Sequence, residues 1–507
     1  MFSNKKKIIT YIFIFCVIFT RFIKINWGND YYFHPDENNM ASAITRLSSS
    51  SLDPHFYAYG QFPLYLVYFS FRLINFWFSP TSGSVVSFYQ SVMGLRVLSA
   101  ILSCLSVYYL YLISKYFFTK SRYQLIFLLF VIFNPGLIQI AHFGTTESLL
   151  VFVFIFNIYT ALLINKKFSL KHILLSAIIT GMGIGSKITA VVFILPIIIA
   201  LKFNLLVTIY YLLITIMSAC AASPYSLVAL KDFLGTMRYE TSVATGGTKV
   251  FYTNQFLHTI PYWFQLKNIF PYVSGLPVFI FSFFGLIILF FKKNFNIKFF
   301  IVLIPSLIYF LYFGQVYTKW VRFVSPLFFI FPFLAAYFIS KIKSLNWVLV
   351  LGALGILPGI LFINVYLRPD IRLIASQWMD KNINNNAVIF SEAGNVVNIP
   401  LNTKKSFDVT NFDFFSLDND SKLLDRLGNE ITNSDYILIP SRRVFKNQFG
   451  PKFPYSDKYY KDLFSGKLGF SLMKTFQLPN YFLLDPENAE ETWTVFDQPK
   501  IRLYSKL

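Results

Sequence analysis

The feature that most constrains this sequence is a series of apolar runs, each long enough to cross a lipid bilayer, that recur from Ile8 to Tyr366. A helix of about 20 apolar residues spans the hydrocarbon core of a bilayer. Of the 507 residues, 55% are hydrophobic and only 14% are charged, and soluble domains carry about 25% charged residues. The sequence therefore predicts a polytopic α-helical membrane protein, with its first apolar run retained as a span.

The net charge of +21 could indicate a nucleic-acid partner. However, the Lys and Arg residues fall largely in short clusters between the apolar runs, and such clusters orient a membrane protein without any nucleic acid. No nucleic-acid partner is therefore expected. The three cysteines, Cys16, Cys104 and Cys220, each lie within an apolar run, which excludes a disulfide framework.

The basic clusters also predict the orientation. If Lys5 to Lys7 place the amino terminus in the cytoplasm, the later clusters are cytoplasmic only when the apolar stretch 62–78 lies in the outer interface without crossing. All seven acidic residues before residue 367 then fall on the outer face. About eleven crossings follow from this topology, near 8–26, 92–114, 123–141, 148–165, 172–186, 188–201, 203–222, 274–291, 299–313, 321–340 and 346–366.

The composition changes to that of a soluble protein after Tyr366. Strand-like pieces, separated by helical stretches such as 370–381, occur at 387–390, 436–439, 492–496 and 501–504. This pattern predicts two units: a transmembrane domain at 1–366 and a small α/β domain outside the membrane at 367–507.

Acidic residues mark two places at the outer lip of the predicted spans. In His34-Pro35-Asp36-Glu37, Pro35 suits the first position of a helix, so both acids would lie in its first turn. Acids at a membrane surface are costly unless they have a function, although simple helix capping would also explain them. Glu147 begins a later span, where the alternative is an ordinary first-turn glutamate.

Cations occur at the same predicted depth. Lys187 lies between two apolar runs on the outer face, where the positive-inside bias gives it no reason to be. Arg322 begins a span and can bind a phosphate group through two parallel hydrogen bonds. Arg96 and Lys319 are two further candidates, and for all four the alternative is an interfacial side chain that extends to the headgroups.

The order of these motifs resembles the GT-C glycosyltransferases, in particular the bacterial lipid-carrier-dependent branch related to protein O-mannosyltransferases and aminoarabinose transferases. A Trp-Trp-Asp triplet does not occur, which argues against the oligosaccharyltransferase branch. The resemblance covers nearly the whole chain and rests on residues 34–37, Gly60 to Tyr65, Arg96, Ala141 to Glu147, Gly185 to Lys187, Ser223 to Ser226, Lys319 to Pro326 and Glu491 to Tyr504.

The resemblance implies that a sugar moves from a polyprenyl-phosphate carrier in the membrane lipid to a protein, lipid or glycan acceptor at the outer face. It implies an inverting attack, with Asp36 acting as the base directly or helping to hold a divalent ion. Glu37 and Glu147 would share this catalytic site. The donor phosphate would bind to Lys187, Arg322, Arg96 and Lys319.

Contacts to acceptor or sugar are expected from His142, Tyr252 and His258. For His142 an interfacial structural histidine is equally compatible with the sequence, and the aromatic residues of the outer loop 223–274 are also typical membrane anchors. A possible Mg²⁺ or Mn²⁺ ion, which prefers oxygen ligands, stays open because no metal-binding spacing is visible.

Two alternatives remain. A transporter or flippase of a lipid-linked glycan would show charged residues deep inside spans and internal repeats, and the sequence shows neither. A ligase or polymerase of surface glycans would share the donor and the location and differ only in the acceptor.

Overall fold

The structure is a computed structural model that describes residues 2–78, 85–291, 296–393, 398–479 and 482–507, with side chains from residue 7 onward. The described part of the chain up to Leu367 is predominantly helical. Its first helices are α1 (Phe2–Phe22), α2 (Pro35–Thr45), α3 (Phe62–Phe78), α4 (Phe88–Phe117), α5 (Ser121–Ile132), α6 (Pro135–His142), α7 (Glu147–Lys166), α8 (Leu170–Ile184), α9 (Leu195–Ala200) and α10 (Leu205–Ala222).

The second half of the helical part continues from the long outer segment to the last apolar helix. Its helices are α11 (Tyr225–Val228), α12 (Leu230–Thr245), α13 (Trp263–Asn268), α14 (Phe270–Ser274), α15 (Leu276–Phe291), α16 (Ile297–Gln315), α17 (Ile330–Ile339), α18 (Leu345–Phe362) and α19 (Asn364–Leu367). Short 3-10 helices lie at Asn29–Tyr31, Ile188–Ile194, Phe251–Phe256 and Val321–Leu327.

Among the described residues, five helices are long and apolar enough to cross a membrane, or up to eight spans if each of three bent helix pairs counts as one. The bent pairs are α5 with α6, α13–α14 with α15, and Val321–Leu327 with α17. Each run predicted to cross coincides with a helix or a helix pair. The polytopic helical fold is therefore confirmed, while the count of about eleven crossings stays a prediction because several helices are shorter than a bilayer is thick.

Small residues allow the helices to approach one another closely. A Cβ atom on Gly285 of α15 would lie 2.0 Å from the carbonyl oxygen of Leu334 in α17. A Cβ on Gly359 of α18 would lie 1.7 Å from the carbonyl oxygen of Phe133. Such contacts are typical of membrane helix bundles, where packing rather than the hydrophobic effect holds helices together.

The remainder of the chain forms the expected α/β unit. Its five-stranded sheet has the order β2-β1-β3-β5-β4, with β1 parallel to β2 and β3 and with β5 antiparallel to β3 and β4. The strands are β1 (Val388–Glu392), β2 (Asp408–Phe412), β3 (Tyr436–Ile439), β4 (Phe470–Phe476) and β5 (Ile501–Lys506), and the helices are α20 (Ile371–Asn382), α21 (Ser421–Asn433), α22 (Arg443–Asn447), α23 (Pro454–Phe464) and α24 (Glu491–Val495).

One strand prediction is wrong. Residues 492–496 were expected to be extended because they are β-branched and aromatic, but they form the helix α24 and its C-cap. The side chain of Glu490 accepts a hydrogen bond from the backbone N–H of Thr492 and so caps this helix. Two strands, β2 and β4, were missed because both lie at the edges of the sheet and carry few buried side chains.

The segment 485–498, here called the docking segment, lies between the helical part and the sheet. Glu490 accepts hydrogen bonds from Gln255 Nε2 at 2.9 Å and from the backbone N–H of Val321 at 3.2 Å. Asp497, near the other end of the segment, is also buried. The α/β unit is therefore joined to the helical part by buried polar contacts, not only by the chain connection.

Candidate functional site

A cavity of about 490 Å³ opens beside α2, α12 and the Val321–Leu327 turn. Four of the ten predicted site residues, Asp36, Lys187, Arg322 and Tyr252, line it. Asp36, Glu240, Lys187 and Arg322 line it, together with the aromatic side chains Tyr59, Tyr252, Trp320 and Phe323.

Asp36 and Arg322 form an ion pair in this cavity. Asp36 lies in the first turn of α2, whose N-cap is His34, and Arg322 Nη1 donates a hydrogen bond to its Oδ2. Burial raises the pKa of Asp36, but the positive charges of Arg322 and Lys187 lower it by more than burial raises it. The pKa therefore lies below its ordinary value. Asp36 is therefore an ionised carboxylate held by a cation.

A second ion pair lies beside the first. Lys187 Nζ is 3.2 Å from Oε1 of Glu147, the first residue of α7. Both cations also contact Tyr59: Lys187 Nζ lies 5.1 Å from the ring centre, and Arg322 Nη1 is 3.4 Å from the hydroxyl oxygen. The two ion pairs thus lie next to each other, and the cations of both contact the Tyr59 side chain.

Three of the sequence motifs meet in the backbone next to this cavity. The N–H of Gly60 donates to the carbonyl of Ser186 at 2.8 Å, and the N–H of Gln61 donates to Ser223 Oγ at 3.2 Å. A Cβ on Gly60 would lie only 2.0 Å from the carbonyl oxygen of Gly185. The close approach of Gly60 and Gly185 thus brings Tyr59, which precedes Gly60, near Lys187, which lies two residues after Gly185.

Glu37 and Arg96 lie outside the cavity lining, in a buried network. Arg96 donates two parallel hydrogen bonds to Glu37, at 2.9 and 2.7 Å, and the side chains are only 1% and 0% exposed. Glu37 also accepts from the N–H of Gly144 at 2.6 Å, while Arg96 donates to the carbonyl of Trp27 at 2.9 Å. The ion pair connects α2, α4 and the turn before α7, so its geometry is that of a buried pair that holds these elements together.

The structure also separates His142 from the cavity. Its ring is buried, stacks on Tyr366 with 3.6 Å between ring centres, and has its nitrogen atoms 2.8 and 2.9 Å from the carbonyl oxygens of Ile138 and Ile23. The expected contact of His142 with acceptor or sugar would require these hydrogen bonds to break.

The remaining predicted residues have different environments. Tyr252 lines the cavity, whereas the exposed His258 lies outside the lining residues and has a left-handed backbone with φ 59°. Lys319 is buried, donates to the carbonyl of Tyr317 at 2.9 Å, and has its pKa lowered by burial to about 8.

Sequence reasoning missed two cavity residues and gave no role to a third. Tyr59 directly precedes the Gly60 motif, and Trp320 lies within the Lys319 to Pro326 motif, with its ring 4.6 Å from the guanidinium carbon of Arg322. Glu240 lines the cavity from α12, and its surroundings, above all partial burial, raise its pKa. For Tyr59 and Trp320, the available signal was their position beside or within a recognised motif.

The acids do not assemble into a shared metal site. Asp36 pairs with Arg322, Glu37 with Arg96, and Glu147 with Lys187, so each carboxylate is committed to its own cation. Within the described ranges there is no group of three or more His, Cys, Asp or Glu side chains placed to hold a metal ion. The divalent ion considered from the sequence therefore stays a prediction.

An apolar groove of about 530 Å³ adjoins the cavity. It lies between α3, α8 and α10, and Leu66, Phe69 and Leu73 of its lining are 41%, 52% and 61% exposed. Ser218, Ala221 and Ala222 face the groove, whereas Ala219, Cys220 and Ser223 face the cavity. The end of α10 thus forms a wall common to both spaces.

The chain is similar in structure to several solved proteins. ArnT from Cupriavidus metallidurans bound to undecaprenyl phosphate matches with a TM-score of 0.46 and 10% identity, covering 97% of each chain. The oligosaccharyltransferase of Archaeoglobus fulgidus matches with a TM-score of 0.47 and 14% identity, covering 88% of this chain and 72% of the other. No curated protein sequence matches this one.

A family model gives the sequence-level comparison. Residues 75–227 match the model described as dolichyl-phosphate-mannose-protein mannosyltransferase. This is under a third of the chain; it includes Arg96, Glu147 and Lys187 but begins after Asp36. Over these residues, the match confirms the resemblance to lipid-carrier-dependent glycosyltransferases that the motifs predict.

Proposed function

We propose that this protein is a membrane glycosyltransferase that moves a sugar from a polyprenyl-phosphate carrier to an acceptor hydroxyl, at the membrane face on which the cavity opens. The observation that supports this proposal is the Asp36–Arg322 ion pair, because a carboxylate suited to act as a base and a cation suited to bind phosphate are in contact within one cavity. The family match over residues 75–227 supports the same class of reaction.

Arg322 and Lys187 bind the donor phosphate. A guanidinium group matches the geometry of a phosphate, and Lys187 adds a second positive charge. When the phosphate takes Arg322 as its partner, Asp36 loses its main cation, and its pKa rises toward a value better suited to accepting a proton. Binding of the carrier therefore activates the base.

The chemical step is a single displacement at the anomeric carbon. Asp36 takes the proton of the acceptor hydroxyl, and the oxygen forms a bond to the anomeric carbon as the bond from that carbon to the phosphate oxygen breaks. The electron pair of the broken bond leaves with the polyprenyl phosphate, whose charge Arg322 and Lys187 stabilise. Attack from the face opposite the leaving group inverts the configuration.

The apolar groove receives the prenyl tail. Its wall is common to the cavity, and its exposed Leu66, Phe69 and Leu73 side chains face outward as a lipid-contacting surface would. The carrier phosphate can then enter the cavity while the tail stays in the bilayer. Tyr252 and Trp320, which also line the cavity, offer flat apolar faces for the sugar ring.

The test is turnover of labelled donors. Purified protein is incubated with a panel of radiolabelled polyprenyl-phosphate sugars, using membranes from cells that lack the protein as the source of acceptor. One donor is expected to release its sugar to an acceptor, with Asp36→Asn and Glu147→Gln strongly impaired. Asp30→Asn serves as the control, because Asp30 is an exposed acid near α2 that does not line the cavity.

Full turnover by the Asp36→Asn and Glu147→Gln variants would contradict the site. No turnover with any donor by the wild-type protein would contradict the reaction itself.

A further inference from the structure

A second cavity, of about 520 Å³, lies at the far ends of the helices that carry the candidate site. Three lysines from three helices converge on it: Lys115 from α4, Lys166 from α7 and Lys298 from α16. The other lining residues are Leu112, Tyr116, Tyr159, Leu162 and Asn165. We call this space the lysine pocket.

The lysine pocket is separated from the candidate site by the thickness of a bilayer. Helix α7 runs for 20 residues from Glu147, at the candidate site, to Lys166 at the pocket. At about 1.5 Å per residue this is roughly 30 Å, the same as the hydrocarbon core of a membrane. The pocket therefore faces the leaflet opposite to the one that supplies the carrier, so it lies too far away to hold a reacting phosphate.

The positive charge of the pocket has no protein counter-ion among the described residues. Lys115 Nζ lies 4.1 Å from the ring centre of Tyr111, and Lys298 Nζ lies 5.9 Å from that of Tyr116, but none of the three ammonium groups has an ion pair there. The sequence explains why: no acid occurs between Asp53 and Glu147, between Glu147 and Asp232, or between Glu240 and Asp370.

Three like charges around one cavity repel each other, and an anion that enters it is stabilised by all of them. Surface lysines at a membrane would achieve orientation without forming a cavity, since the positive-inside bias depends only on their number. Here two exposed lysines, Lys115 and Lys166, and the half-buried Lys298 line one open pocket, which also has apolar walls, Leu112 and Leu162, and two tyrosines. That combination matches a phosphate attached to a glycerol and acyl chains.

We propose that the lysine pocket binds the headgroup phosphate of an anionic glycerophospholipid from this leaflet. The three lysines hold the phosphate, and Leu112 and Leu162 contact the first carbons of the acyl chains. Basic pockets between membrane helices are a recognised way to bind such headgroups. The bound lipid connects α4, α7 and α16, three helices whose opposite ends lie near the cavity that contains Asp36 and Arg322.

The experiment measures the thermal unfolding of the full chain in zwitterionic detergent during titration with dioctanoyl-phosphatidylglycerol. Dioctanoyl-phosphatidylcholine and sodium phosphate at equal ionic strength are titrated in parallel. The test variant is Lys115→Gln/Lys166→Gln/Lys298→Gln. The matched control, Lys120→Gln/Lys167→Gln/Lys171→Gln, removes the same charge from exposed lysines outside the pocket lining.

Wild-type protein and the control are expected to gain thermal stability with the anionic lipid only. The pocket variant is expected to need at least tenfold more lipid for the same gain. An equal response of the pocket variant and the control, or an equal effect of phosphatidylcholine, would overturn the proposal. Saturation by sodium phosphate alone would assign the pocket to a free anion and also overturn it. If the triple variant does not fold, the single Lys298→Gln variant is read by the same criteria.

Discussion

Arg322 donates a hydrogen bond to Asp36, joining residues 286 positions apart in the sequence. In the proposed reaction the two have separate tasks, because Arg322 binds phosphate and Asp36 accepts a proton. While the two are in contact, Arg322 is not free to bind phosphate and Asp36 is not free to accept a proton. Both residues become available when this ion pair separates. The pair is therefore the place where substrate binding and chemistry can be separated by mutation.

We expect Asp36→Asn and Arg322→Gln to fail in different ways. Asp36→Asn removes the base and should lower turnover about 100- to 10,000-fold, the usual contribution of a general base, while carrier phosphate still binds. Arg322→Gln should weaken binding of polyprenyl phosphate at least tenfold. Tryptophan fluorescence during carrier titration measures the affinity, and Arg238→Gln on the exposed face of α12 is the control. Unchanged carrier affinity in Arg322→Gln would assign the arginine another role.

Glu37→Gln should destabilise the protein instead of changing its affinity for the carrier. The variant leaves the buried Arg96 charge without its carboxylate partner, and breaking a buried ion pair costs about 3–5 kcal/mol. A clearly lower thermal midpoint is expected, with the Kd for polyprenyl phosphate unchanged in the protein that remains folded. Arg96→Lys, which keeps the charge and loses the parallel hydrogen bonds, should show an intermediate midpoint. A normal thermal midpoint with weakened carrier binding would instead indicate that Arg96 binds the donor phosphate, as the sequence predicts.

Gly60→Ala tests the contact between two motifs. The new Cβ would lie 2.0 Å from the backbone oxygen of Gly185, so the backbone must move and shift Tyr59 and Lys187. Turnover is expected to fall more than tenfold. The matched control is Gly235→Ala, since a Cβ at Gly235 meets no atom within 4 Å and alanine favours a helix. Equal activity of the two variants would show that the contact does not position the site.

Asp497 should make the stability of the protein depend on pH. Burial is the main cause that raises its pKa from 3.8 to about 7, and Gln139 and Tyr366 both donate hydrogen bonds to its carboxylate. Between these two pH values, Asp497 keeps a proton in the folded state that it has lost in the unfolded chain. The stability that this proton contributes is therefore present at low pH and is lost as the pH rises through about 7.

Thermal midpoints between pH 5 and pH 8 measure this effect. They should fall with rising pH in the wild-type protein and much less in Asp497→Asn, whose side chain stays neutral. Asp413→Asn is the control, because Asp413 is a half-buried acid outside the docking segment. If the thermal midpoint declined equally in Asp497→Asn and the wild type, the decline would be caused by another titrating group.

The helices could be predicted from the sequence because hydropathy is a local property. Each predicted run, such as 92–114, coincides with a helix such as α4. The first turn of α2 was also predictable, since Pro35 and the two acids after it are local signals. The α/β unit was partly predictable for the same reason: its central strands β1 and β3 are apolar, whereas its edge strands are not.

The division of labour between the two acids was not predictable, because it depends on partners far away in the sequence. Asp36 and Glu37 are neighbours, yet α2 directs one into the cavity and the other into the buried pair with Arg96. Likewise Arg96 and Arg322 look alike as interfacial arginines. Only the tertiary contacts show that one braces the helices and the other meets the cavity acid.

The docking segment has a consequence for the order in which the protein is made. Glu490 accepts a hydrogen bond from Val321, the residue before the cavity arginine, although it is synthesised 169 residues later. The helices can enter the membrane as they emerge from the ribosome, but the turn that carries Arg322 acquires this support only after Glu490 has been synthesised and the α/β unit has folded. A chain interrupted before that point would have its helices but would lack this support for the turn that binds phosphate in the proposed reaction.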